Sequence, residues 1–131
     1  MITSNIAVSN GTGIKIKRLW LNNQIGYMNA CDVAVDLSDY THVLVAFASS
    51  ADEDDDNFMT MLDTMVPIDT TVTFQIRDGS YEMPNSGGYP HRLFYVRADH
   101  IHFYSGGHGY NSSDFMCVPV EIYGIKMPVE S

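Results

Sequence analysis

Basic side chains are scarce in this chain: seven lysines and arginines stand against 16 acids, a net charge of −9. Such a surface repels phosphate backbones and anionic headgroups, so neither nucleic acid nor an anionic membrane is an expected partner. Cysteine is nearly absent too. Cys31 and Cys117 lie far apart, each in a strand-like stretch. They read as two buried thiols, or as a single disulfide if their strands are neighbours. No run approaches the ~20 apolar residues of a membrane span. Met1–Gly13 has neither the basic start nor the apolar centre of a secretory signal. Catalytic signatures are missing: there is no G-x-S-x-G, H-E-x-x-H, P-loop or C-x-x-C. No catalytic residues are expected, and the chain reads as a non-enzyme. Outside one acidic run the carboxylates are scattered, which leaves a small glycan-active enzyme, needing two of them across a sugar ring, the weakest reading.

What is present is apolar sequence in short pieces. Hydrophobic residues make up 45% of the 131 residues, enough for a folded domain with a real core. The organising stretch is Val33–Phe47. Val33, Val35 and Leu37 alternate with Ala34, Asp36 and Ser38, the period of a half-buried strand. Leu-Ser-Asp-Tyr then breaks the pattern, because Ser38 and Asp39 can bond their own backbone and favour a turn. Next, the apolar run His42–Phe47 fits a strand covered on both faces.

The rest of the chain repeats this grammar. Ile14–Leu21 alternates Ile14 and Ile16 against Lys15 and Lys17. Trp20 near its end reads as a core anchor, with a ligand platform as the other use. Tyr27–Leu37, Thr70–Arg77, Arg92–Arg97, His100–Tyr104 and Phe115–Lys126 read as further strands. The two-residue gap Ala98–Asp99 predicts a hairpin. Pro119 predicts an edge or a bulge in the last strand. Phe58, Met61, Leu62 and Met65 are spaced three and four apart, so one short helix is expected within residues 58–65. The expected fold is all-β: an antiparallel, jelly-roll-like β-sandwich of about eight strands. Residues 1–13 form an arm or edge strand and residues 14–131 a single domain.

Leu19–Trp20, then Val35–Tyr40 (VDLSDY), then Val118–Lys126 (VPVEIYGIK), with Arg92–Val96 and His100–Phe103 between them, give a combination of motifs. In that order and spacing the chain resembles the C-terminal modules of tail-associated minor structural proteins of bacteriophages and prophages. The resemblance implies a virion protein of β-sandwich fold, assembled in the host cytoplasm as a homotrimer. Such a module attaches to the host surface, with a cell-surface glycan as the natural receptor, or to other virion proteins. The alternative within the same class is a capsid decoration, head-fibre or baseplate accessory that binds no glycan.

Three groups of residues are candidates for binding. Two loops, Tyr81–His91 and Gly106–Asp114, bring Tyr81, Tyr89, His91, His108, Tyr110, Asn111 and Asp114 among glycines. Aromatic faces cover the apolar side of a sugar and polar neighbours bond its hydroxyls. An ordinary connection, with its tyrosines packed on their own loop, is the other reading. His100 and His102, two apart on a strand, project to one face. Around a threefold axis six such imidazoles would suit a transition metal. In a single chain they are surface residues. Asp52, Glu53, Asp54, Asp55 and Asp56 resemble a calcium loop only superficially, because the glycine turn is missing. They read as a solvated charged tip. No cofactor is expected.

Overall fold

The computed structural model describes residues 13–22, 30–49, 60–68, 71–78, 91–104 and 117–128. These form eight strands: β1 (Lys15–Leu21), β2 (Cys31–Ala34), β3 (His42–Ser49), β4 (Thr60–Pro67), β5 (Thr73–Arg77), β6 (His91–Val96), β7 (His100–Phe103) and β8 (Cys117–Lys126). They build two four-stranded sheets, β1-β8-β3-β4 and β2-β7-β6-β5. Every pairing is antiparallel. The sandwich is therefore as expected. The first strand pairs with the last and the second with the seventh. β3–β4 closes as a hairpin and β5-β6-β7 as a meander.

The alternation in Val33–Leu37 is realised residue by residue. Val33, Val35 and Leu37 are buried, and Ala34, Asp36 and Ser38 are exposed. Ladder pairing ends at Ala34, but Val35 and Leu37 still donate to the carbonyls of Asp99 and Ala98 (3.2 and 2.8 Å). Asp36 then makes the bend: its Oδ1 accepts from the Ser38 amide at 3.0 Å and the Ser38 hydroxyl at 2.7 Å. The chain crosses from an edge strand of one sheet to an interior strand of the other. Tyr40 and Thr41 fasten this crossover. The Tyr40 ring lies against Gly124 of β8. Thr41 donates to the Ile125 carbonyl through its amide (2.9 Å) and hydroxyl (3.2 Å), and its own carbonyl accepts from Ile68 (3.1 Å).

The core is a valine and phenylalanine layer between the sheets. Val43, Val45 and Phe47 of β3 meet Phe94, Val96, Ile101 and Phe103 of β6 and β7, all fully buried. Phe47 contacts Phe94 at 5.7 Å and Phe103 at 5.9 Å between ring centroids. Leu19 and Trp20 pack against this cluster, so the anchor reading of Trp20 holds. The hairpin at Ala98–Asp99 is present, with Val96 opposite Ile101. Pro119 lies at a register shift inside the interior strand β8, the bulge alternative: Phe47 pairs with Pro119 and Ala46 with Glu121.

The helix expected within residues 58–65 is not formed; the described part of that segment belongs to β4. It pairs along its whole length with β3, from Ser49–Thr60 to His42–Pro67. The apolar spacing that mimics a helix is an apolar residue on each face of a strand. Leu62 and Val66 face the core, whereas Met61 and Met65 are 59% and 48% exposed. Cys31 and Cys117 are both free thiols, on strands of different sheets.

Gly124 is required by the Tyr40 contact. A Cβ there would sit 2.8 Å from the Tyr40 ring carbons. Gly124→Ala is expected to lower unfolding free energy by about 1–3 kcal/mol through overpacking. In the double variant with Tyr40→Ala the two costs should be less than additive, read by chemical denaturation.

Candidate functional site

Because Phe94, Val96, Ile101 and Phe103 point inward, their neighbours must point out. The outer face of β2-β7-β6-β5 therefore collects Tyr95, Arg97, His100, His102 and Tyr104. Strand register aligns them: Asp32 lies opposite His102, His102 opposite Tyr95, and Tyr95 opposite Thr73. One transverse row thus crosses all four strands of the sheet.

The contacts within this row are close. The His102 ring stacks on Tyr95, with centroids 4.9 Å apart and planes 23° from parallel. Tyr104 meets His102 edge-on at 4.9 Å and Tyr95 at 5.9 Å. The Arg97 guanidinium lies 4.1 Å from the Tyr95 centroid, a cation–π contact. His102 Nδ1 donates to Asp32 Oδ1 at 2.6 Å and His100 Nδ1 to Asp99 Oδ1 at 2.8 Å. The hydrogen bond from His100 holds the Asp99 carboxyl below its ordinary value. Exposed pairs of this kind add little stability, so their effect is orientation: each ring is held by its carboxylate, leaving the other ring nitrogen to act as an acceptor when neutral.

His100 and His102 do share a face, as their spacing requires. Each is engaged by its own carboxylate, and among the described residues no cluster of three His, Cys, Asp or Glu is placed to hold a metal. His91 begins β6 on the same outer face, opposite Arg77. Tyr81, Tyr89, His108, Tyr110, Asn111 and Asp114, and the acidic run Asp52–Asp56, lie outside the described residues. Asp32, Tyr95 and Thr73 of the row, and Tyr104 beside it, were not singled out by sequence. A signal for Tyr95 existed, because a two-residue hairpin at Ala98–Asp99 sets it opposite His102.

A second polar group is buried at one end of the sandwich. Arg92 is fully buried on β6. Its Nε donates to the Tyr104 carbonyl and its Nη1 to the Cys117 carbonyl of β8 (2.9 Å), which ties the two sheets together. Asp78, 1% exposed, accepts from Ser49 Oγ at 2.9 Å. Burial lowers Arg92 to about 10, so it remains a cation at neutral pH. Burial also pushes the Cys117 thiol up to about 12 and raises Cys31. Neither thiol is a nucleophile near neutrality, since the thiolate is the reactive form.

The outer face is thus an aromatic and imidazole platform flanked by carboxylates and a guanidinium. It can stack on a planar or sugar-like ligand and bond its hydroxyls. Compared with protein-family models and with curated protein sequences, the chain matches none.

The Cys117 shift makes an alkaline prediction. The folded value lies above the unfolded one, so the thiol's contribution is intact below about pH 9 and is lost as pH rises toward about 12. Cys117→Ala should remove that loss, up to about 1.4 kcal/mol per pH unit across the window. Arg92 titrates in the opposite sense above about 10 and is itself raised by the charge on Cys117, so the difference between wild type and variant reads the thiol together with its coupling to Arg92. Urea denaturation at stepped pH reads it, and parallel curves would exclude the effect.

Proposed function

We propose that the chain is a non-enzymatic structural module of a bacteriophage or prophage virion that attaches to a host-surface glycan. The observation that carries the glycan reading is the row Asp32–His102–Tyr95 with Tyr104 beside it. An apolar ring surface with acceptor and donor groups at its rim is what a sugar's two faces require. It stands on a rigid sheet, so binding orders few groups and loses little entropy.

The virion assignment is supported by the motifs Leu19–Trp20, VDLSDY and VPVEIYGIK. In the fold, Tyr40 of the second packs on Gly124 of the third. Order in sequence therefore corresponds to one packed corner, which makes chance coincidence of the motifs less plausible. The homotrimer, and placement in the tail, belong to this same reading.

A second reading, attachment to other virion proteins without glycan binding, is favoured by the other sheet. There Leu21, Met61 and Met65 are 47%, 59% and 48% exposed. Exposed methionines adapt to varied protein surfaces.

A glycan array and retention on host cells, both with the full chain, separate the two. Tyr104→Ala and His102→Ala should each weaken retention by about 1 kcal/mol, roughly fivefold, with thermal stability nearly unchanged. If neither glycans nor host cells retain the wild-type protein, the glycan reading fails and the second stands.

A further inference from the structure

Among the described residues the sheet β1-β8-β3-β4 ends in two edge strands of unlike character. Among the described residues, β1 pairs only with β8 and β4 only with β3. β1 carries Lys15, Lys17 and Arg18, all exposed, and Lys15 lies opposite Lys126 of β8. Four of the chain's seven lysines and arginines thus sit at this side. β4 carries exposed Asp63 and no basic residue, and the sequence 50–59 leading into it holds five acids and no base. Both sides also present exposed apolar groups: Leu21 on β1, and Met61 and Met65 on β4.

We propose that β1 of one copy docks edge-to-edge on β4 of a second copy of this chain, head to tail. Strand direction permits it. In a four-stranded antiparallel sheet the two outer strands run oppositely. Repeating the sheet without flipping it therefore sets β1 antiparallel to the neighbour's β4, and outer face continues into outer face. Side-chain chemistry chooses the register. Full overlap of the seven residues of β1 with the eight of β4 brings Arg18 opposite Asp63. Two residues along, Ile16 meets Met65. On the other side the β1 register shift between Arg18 and Trp20 brings Leu21 to Met61. All six side chains lie on the outer face. Arg18, already 3.3 Å from Glu121 of its own chain, would bridge the two carboxylates.

The two-fold alternatives meet like charge. An antiparallel β1–β1 dimer with full overlap sets Arg18 against its own copy. A two-fold β4–β4 dimer with Met61 opposite Met65 sets Asp63 against its own copy. Lysines on an edge strand ordinarily block pairing. In this register Lys17 and Lys15 lie opposite Thr64 and Val66, so the charge complement that selects the partner edge is the pair Arg18–Asp63. Repetition of the contact yields a ring where it closes and a filament where it does not.

This inference does not depend on glycan attachment: the platform is on the other sheet, and loss of either property leaves the other intact. Light scattering coupled to size exclusion on the full chain tests it. The expected mass is a multiple of the 14.6 kDa monomer. Arg18→Asp and Asp63→Arg should each weaken association roughly tenfold or more, because like charges then face each other. The double variant Arg18→Asp/Asp63→Arg should restore it. Should a charge reversal disturb folding by circular dichroism, Met61→Lys with Met65→Lys serves as the second probe, expected to give monomer. A wild type that is monomeric at its highest soluble concentration overturns the proposal. So does an assembly that survives both charge reversals and the methionine pair.

Discussion

The contact on which the molecule depends is the meeting of Phe47 with Phe94 and Phe103 across the sandwich. The three rings come from three strands and from both sheets, and none is exposed. Each buried phenylalanine contributes on the order of 2–3 kcal/mol. Their consequence for orientation is larger than their energy. A strand has a period of two, so fixing Phe94 and Phe103 inward leaves no freedom to Tyr95, His102 and Tyr104. A one-residue slip in β6 would bury Tyr95 and expose Phe94, and one in β7 would bury His102 and expose Phe103. The core thereby specifies the outer platform without touching it.

Arg92 is where this economy is tested. Its strand position makes it inward-facing, in line with Phe94 and Val96, and so a charge enters the interior. A buried cation is tolerable only when its donors are met. The guanidinium reaches the carbonyls of Tyr104 and Cys117, on the strand ends of opposite sheets. Nearby, Ser49 and Asp78 satisfy each other. These bonds are directional, whereas valine and phenylalanine packing is not. The polar end consequently fixes how far the sheets can slide, and the apolar layer supplies the cohesion. The same burial that requires these bonds keeps Cys117 protonated, which argues for a structural thiol and against a redox or nucleophilic one.

Sequence pattern exposed what is local and missed what is not. The alternation in Val33–Leu37, the turn at Asp36–Ser38 and the hairpin at Ala98–Asp99 were all legible, because each depends on neighbours in the chain. The strand β4 was not. Its faces carry Met61 and Met65 outside and Leu62 and Val66 inside, and periodicity cannot distinguish a two-faced apolar strand from a short helix. Pairing with β3 decided it. The histidine pair was visible, but not its partners. Asp32 is 70 residues from His102, brought to it by β2–β7 pairing. Asp78 directly follows the expected strand Thr70–Arg77, and its burial against Ser49 is set by a residue 29 positions away. Long-range pairing carries such information, and no window of sequence contains it.

The corner of Tyr40, Thr41 and Gly124 bears on how the family resemblance should be weighed. The motifs that carry it converge there: Asp36 makes the bend, Tyr40 covers Gly124, and Thr41 holds the Ile125 carbonyl. These are requirements of a chain passing from one sheet to the other. They constrain the scaffold. The residues of the platform lie on a different sheet from Gly124 and Ile125, and Tyr95 and His102 of the row belong to the segments Arg92–Val96 and His100–Phe103 that lie between the corner motifs in sequence. Corner and platform lie on different sheets, so substitution in the row leaves the contacts of the corner in place. The proposed virion class thus rests on scaffold motifs, and any proposed ligand rests on the chemistry of Tyr95, His102 and Tyr104.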